Sequence, residues 1–117
     1  MADQTLTSLL SADPLRATLE GVVTLGGVRL GLRLWMASRD FRWRIDVLDS
    51  AGSRMIQGHA LVARADVLGP YRALYPSLPA GQLFALPAAL DGSDPEGFSA
   101  FSSTHSIKYR PAADVAA

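Results

Sequence analysis

The side chains that could do acid–base or metal chemistry in this chain are few and lie far apart. The histidines are His59 and His105, and neither has a cysteine or a paired carboxylate motif near it. A general base or a metal site would therefore need the fold to bring distant residues together, because no local spacing joins them. The sequence predicts no catalytic residue and no metal ligand.

The densest group of carboxylates lies in the segment DGSDPEG, which contains Asp91, Asp94 and Glu96. A helix–loop–helix calcium site needs ligands at alternate positions of a loop of about twelve residues that ends on glutamate. This segment lacks that pattern, so it predicts a solvated turn, with a weak cation site as the alternative. Phosphate-loop, dinucleotide and G-x-S-x-G motifs do not occur either. We therefore predict no cofactor and no enzyme activity.

Composition limits the class of protein. The 117 residues suit one domain, and 49% of them are hydrophobic, enough to build a core. The formal net charge of zero weighs against bulk nucleic-acid binding. The absence of cysteine excludes disulfides. No apolar run approaches the length of a membrane span, and the N-terminus lacks the basic region of a signal peptide. A soluble product made inside the cell is the expectation.

The elements that must position any site are β-strands, and the clearest pair runs from Val28 to Asp49. Apolar residues alternate with polar ones on both sides of a polar turn, and successive strand side chains point to opposite faces. One face of this hairpin is therefore predicted to be apolar. Its members are Leu30, Leu32, Leu34, Phe41, Trp43, Ile45 and Val47.

The opposite face of the same hairpin has arginines at Arg33, Arg42 and Arg44. Trp35 is out of phase with the leucines of its strand and is predicted to emerge on this charged face. There it could stack on Arg42 or Arg44, or anchor a partner, because exposed Trp and Arg are favoured at interfaces. The face is equally compatible with an ordinary solvated strand surface. Arginines beside aromatics also suit a small barrel that binds single-stranded nucleic acid.

The rest of the chain divides into a leader at 1–14, a single β-domain at 15–110 and a loose tail at 111–117. Spacing of leucines in the leader predicts a short amphipathic helix or an arm that orders on another subunit. Further strands are predicted at 15–24, 53–64, 82–86 and 105–109, with a bulge near Gly58. The proline-rich segment 68–81 predicts an ordered loop, in which Tyr71 and Tyr75 complete the candidate interface residues. The predicted fold class is mainly β, a small antiparallel β-sandwich or barrel-like domain with a short N-terminal arm or helix.

One resemblance covers most of the chain, from about residue 15 to residue 110. An apolar–arginine strand is followed by the hairpin pattern of Trp43, Ile45, Val47, Asp49 and Gly52, then by Leu78-Pro79-x-Gly81-x-Leu83 and the closing Ile107-Lys108-Tyr109. In this order the elements resemble the small plug proteins of phage-tail baseplates. The leader and the 91–103 segment depart from that pattern, and both could be contact arms.

The resemblance implies a structural virion protein and no enzyme. Such a protein would sit in the tail baseplate beside the hub and spike, would assemble with tail-tube and hub proteins, and would be put together in the host cytoplasm. It would form a homo-oligomer on the tail axis, without nucleic acid and without a membrane segment. The small nucleic-acid- or ligand-binding barrel stays open as the alternative.

Overall fold

Two antiparallel sheets face each other in the computed structural model, which describes residues 4–13, 18–37, 39–88, 92–95 and 100–111. The larger sheet has the order β2-β3-β4-β5-β6 and the smaller one the order β1-β8-β7. The strands are β1 Gln4–Thr5, β2 Ser11–Asp13, β3 Thr18–Leu25, β4 Val28–Met36, β5 Trp43–Leu48, β6 Arg54–Ala60, β7 Gly81–Pro87 and β8 His105–Pro111. The predicted fold class is confirmed.

The large sheet is built from consecutive hairpins. Gly26 and Gly27 form the β3–β4 turn with φ of 56° and 81°, a conformation that favours glycine over other residues. The β5–β6 turn is held by Asp49, whose Oδ1 accepts hydrogen bonds from the N–H groups of Ala51 and Ser53, both at 2.9 Å. Both turns lie where the sequence predicts them.

The predicted facing of the β4–β5 hairpin is confirmed for its strands and wrong at its tip. Alternate residues of both strands are buried and form the core: Leu30, Leu32, Leu34, Trp43, Ile45 and Val47. Phe41, which was expected on the same face, is 49% exposed. Its φ of 59° belongs to the turn, where its N–H donates to the carbonyl of Ala37. A positive φ breaks the alternation of side chains on which the prediction depends.

A bulge interrupts the β5–β6 ladder, as the sequence predicts. Ile45 pairs with His59 and Val47 pairs with Ile56, so β6 has one more residue than β5 between these pairs. Gly58 lies in that stretch with φ of 64°. A strand spanning 53–64 is too long, however, because β6 ends at Ala60.

The leader is a strand–turn–strand instead of the predicted amphipathic helix. A single 3-10 turn at Thr7–Leu9 separates β1 from β2. Leu6 and Leu10 are buried, whereas Leu9 is 53% exposed. Backbone pairing with β8 and β3 satisfies more polar groups than one isolated helical turn would. The leader thus joins one edge of the small sheet to one edge of the large sheet.

The opposite side of the sandwich is closed by the segment that follows β6. The N–H of Leu61 donates to Trp43, and further on Arg64 and Val67 donate to carbonyls of β7 at 2.8 Å. Asp66 fixes this crossing, because its carboxylate accepts hydrogen bonds from the N–H groups of Leu68, Gly69 and Leu83. Two chain segments, the leader and 61–67, therefore cross between the sheets on opposite sides.

The proline-rich loop is ordered over one end of the sandwich, as predicted. It contains a 3-10 turn at Gly69–Tyr71. The Arg72 guanidinium donates to the carbonyls of Pro79 and Gly81, and the Tyr109 hydroxyl donates to Ala80. Burial raises the pKa of Tyr109, against an opposing effect of Arg72. The first three residues, 14–17 and the tail at 112–117 lie outside the described residues, so the proposed ends of the domain stay predictions.

Candidate functional site

The outer face of the large sheet brings four of the six candidate interface residues together. Arg33 and Trp35 lie on β4, and Arg44 lies on β5 directly opposite Trp35. Arg42 precedes β5 on the same side and is exposed. We call the surface formed by Arg33, Trp35, Arg42 and Arg44 the arginine surface. Trp35 is half-buried on it, as its phase predicts.

A buried carboxylate lies at the centre of this surface. Asp46 is opposite Arg33 in the β4–β5 ladder and is only 2% exposed. Its Oδ1 accepts hydrogen bonds from the Gly58 N–H at 2.7 Å and from the Trp35 indole N–H at 3.4 Å. The bulge in β6 turns the Gly58 N–H toward β5, so the irregular ladder creates this acceptor site.

Two guanidinium groups approach the same carboxylate from either side. Arg33 lies 3.6 Å and Arg54 lies 3.9 Å from Asp46 Oδ2. Both arginine side chains keep about half of their surface in water (41% and 50% exposed). They therefore screen the carboxylate while their charges stay available at the surface.

Arg42 and Arg44 also have acidic neighbours. Arg44 lies 3.4 Å from Asp40 in the turn before β5. Arg42 donates to Asp94 at 2.8 Å, and the other oxygen of Asp94 accepts from the Ala63 N–H at 2.8 Å. This pair joins the 92–95 segment to the arginine surface. Because carboxylates already lie beside these guanidinium groups, an anionic ligand of any class would have to compete with them.

The Asp94 contacts predict a small, pH-dependent contribution to stability. The hydrogen bond from Ala63 lowers the pKa of Asp94, and Arg42 adds to the effect against the opposing influence of burial. A carboxylate with a lowered folded-state pKa stabilises the fold above its unfolded-state pKa of about 4, and the gain is lost as pH falls below that value.

Asp94→Asn is expected to lower the free energy of unfolding by about 1 kcal/mol or less at pH 7, the usual range for an exposed ion pair. The difference from the wild type should shrink as pH is lowered from 5 to 3 in urea titrations. Glu20→Gln is the control, because Glu20 is 64% exposed and lies 3.9 Å from its arginine. A difference that stays constant down to pH 3 would contradict the assignment.

Tyr71 and Tyr75 lie on the proline-rich loop. In the described part of the chain they contact other residues than those of the arginine surface. Both rings are partly buried against the core. The Tyr71 hydroxyl is 3.0 Å from Nδ1 of His59, and the two rings meet edge-on. Burial lowers the pKa of His59, against an opposing effect of Asp66. These two candidates thus stabilise the loop, and they are candidates for a separate contact region.

The described histidine and carboxylate side chains that were first considered for catalysis or metal binding form hydrogen bonds and ion pairs within the fold. His105 Nε2 lies 2.7 Å from the Ser93 carbonyl, and its Nδ1 lies 2.8 Å from the Thr104 hydroxyl. Asp94 pairs with Arg42, while Asp91 and Glu96 lie outside the described residues. In the described part of the chain, no three histidine, aspartate or glutamate side chains are placed to hold a metal ion.

Asp46 and Asp66 are the important polar residues that sequence reasoning missed. For Asp46 a signal existed, because strand alternation places it on the arginine face between Arg44 and Leu48. Its burial depends on the bulge and on the Trp35 ring, which no local pattern specifies. Asp66 precedes a proline-rich loop. An aspartate side chain at such a place often accepts hydrogen bonds from the backbone N–H groups two and three residues later in the chain.

Comparison with known protein families gives a match that covers most of the chain. The family described as "Cyanophage baseplate Pam3 plug gp18" matches residues 18–111. This chain belongs to that baseplate plug family. The matched range begins at the first residue of β3 and ends at the last residue of β8. No curated protein matches the chain closely enough to count as a relative.

Membership in the baseplate plug family agrees with the resemblance read from the sequence. The family is one of structural baseplate proteins, which weighs against an enzyme. The match includes the whole arginine surface but excludes the leader, which pairs with both sheets. None of the described helical segments is long and apolar enough to cross a bilayer.

Proposed function

We propose that this protein is a plug of a phage-tail baseplate and that it works by assembly with tail-tube and hub proteins. The observation behind the proposal is the family match over residues 18–111, which spans β3 to β8. As a virion component it would be assembled in the host cytoplasm, as several copies around the tail axis. Symmetric assembly is the usual arrangement for small structural subunits.

Several strand edges of the sandwich are already covered, and its outer faces are available for docking. The leader pairs with β8 and β3, and 61–67 runs along β7, so these edges already have partners within the chain. A neighbouring subunit would then contact side chains on an outer face. The arginine surface offers exposed guanidinium groups and a half-buried Trp35, the residue types that most often dominate binding energy.

The first test is the mass of complexes in solution. The purified protein is measured alone, and then mixed with the tube protein and the hub protein of the same tail, by light scattering after size exclusion. We expect a discrete mixed complex with at least one of them. A chain that stays monomeric at every concentration and binds neither protein would contradict the proposal.

A second test asks whether the arginine surface takes part. The double variant Arg42→Ala with Arg44→Ala is expected to weaken binding to the tail protein about tenfold, the usual effect of truncating charged contacts at an interface. Arg110→Ala is the matched control, because Arg110 lies on the small sheet with its guanidinium 5.1 Å from the Phe84 ring. Equal effects of the double variant and the control would remove the arginine surface from the interface.

A further inference from the structure

Gly31 lies in the middle of a strand, at a position where the isolated fold does not require a glycine. It lies in β4 and faces outward, between Arg29 and Arg33. It has no positive φ, unlike the turn glycines. A Cβ built at Gly31 would meet Leu48 at 3.4 Å, an ordinary contact distance. A Cβ would therefore fit there.

A glycine on the neighbouring strand shows the contrast. A Cβ at Gly21 would lie 3.1 Å from the Leu9 carbonyl and 3.2 Å from the Leu10 side chain, so a side chain there would press on the leader. Glycine weakens the interior of a strand, and a mid-strand glycine without a local reason often marks close approach by another backbone. Gly31 weakens its strand in the same way, but no described segment packs against Gly31 as the leader packs against Gly21.

The space above Gly31 is an apolar groove across the outer face. Val22, Gly31 and Leu48 pair with one another across three strands and so form one row on this face. Two depressions of about 310 and 430 Å³ meet over these three residues. Val22 is 57% exposed although it is a valine in mid-strand, and Leu48 is half-buried. We call this row the Gly31 groove.

Positive charge borders the Gly31 groove along β4. Arg29 and Arg33 are two residues to either side of Gly31, about 7 Å away along the strand and on the same face. Arg29 is exposed and has no carboxylate partner among the described residues. Asp49, which also borders the groove, has its carboxylate bound to two backbone N–H groups. The groove is therefore apolar in its floor, with the exposed Arg29 at one end and Arg33 beside Glu20 at the other.

We propose that the Gly31 groove is the site where an extended segment of a neighbouring tail protein docks. That segment places a branched apolar side chain between Val22 and Leu48 and a carboxylate on Arg29. The missing Cβ at Gly31 lets the partner backbone approach the sheet closely. The proposal rests on the proposed function, and the groove is continuous with the arginine surface through Arg33.

The test compares three groove variants for affinity to the tube or hub protein that the wild type binds. Gly31→Thr fills the groove and should weaken binding about thirtyfold or more, as at the centre of an interface. Val22→Thr and Arg29→Glu should each weaken it about tenfold. Val62→Thr is the matched control, because Val62 is 48% exposed beyond the end of β6, and it should bind like the wild type.

Folding and self-association are measured on the same samples. Gly31→Thr should still melt cooperatively, since a β-branched residue suits a strand. Wild-type affinity in Gly31→Thr and Val22→Thr would overturn this proposal and leave the proposed function intact. Groove variants that only dissociate a homo-oligomer would show that a second copy occupies the groove, against the proposal. A wild type that binds neither tail protein would end both proposals.

Discussion

Trp43→Ala is expected to be the most destabilising single substitution in the core, at about 3–5 kcal/mol, the usual cost of truncating a buried aromatic residue. Trp43 is 3% exposed, and its ring meets Phe101 edge-on at 5.0 Å. Its carbonyl also accepts the Leu61 N–H, at the point where the chain leaves the large sheet. The cavity would therefore lie where the 61–67 crossing begins. Urea unfolding followed by circular dichroism measures the loss.

Trp35→Ala is the matched control, because it removes the same side chain from the outer face. Trp35 is half-buried, and its indole N–H donates a hydrogen bond to Asp46 at 3.4 Å. Its loss should cost clearly less than that of Trp43. A domain of this size has a stability of about 5–15 kcal/mol, so both variants should still be measurable. Equal losses would contradict the assignment of the two faces.

Asp46→Ala is expected to lower the free energy of unfolding by about 2–4 kcal/mol, since a charge-assisted hydrogen bond is lost and a donor is left without its acceptor. The N–H of Gly58 would lose its acceptor at the bulge, and the Trp35 indole would lose its own. Arg33 and Arg54 would keep their charges without the carboxylate between them. Thermal and urea unfolding at pH 7 measure the effect.

Two comparisons sharpen the Asp46 experiment. Asp46→Asn keeps one oxygen that can accept the Gly58 N–H, so it should lose about half as much. Glu20→Ala removes a carboxylate from the same face, but one that is 64% exposed, and should change stability by about 0.5 kcal/mol or less. If Asp46→Ala and Glu20→Ala had equal effects, the carboxylate would not be the centre of the arginine surface.

The local sequence pattern predicts the parts of this fold that depend on the alternation of apolar and polar residues and on turn residues. The period of two places Trp43 in the core and Trp35 outside it, and paired glycines locate the β3–β4 turn. The same rule fails at Phe41, because a positive φ in the turn reverses the alternation. It also fails in the leader, where leucine spacing suits a helix but distant strands supply better backbone partners.

The features that close the sandwich could not be predicted, because they depend on contacts between distant parts of the chain. Asp66 accepts the Leu83 N–H across 17 residues, and no spacing rule connects the two. Asp46 accepts hydrogen bonds from a bulge on one neighbouring strand and from a tryptophan on the other. For the candidate surface, alternation indicates which side chains share a face. The Gly31 groove becomes visible only when three strands are placed side by side.

The pairing of the leader with β8 has a consequence for how the protein folds. Gln4 pairs with Tyr109, and the Ile107 N–H donates to the Thr7 hydroxyl across 100 residues of sequence. The small sheet is therefore completed only when a long loop closes, and closure of such loops is slow in proteins with high contact order. Until then the edge of β8 stays open to pairing with other chains.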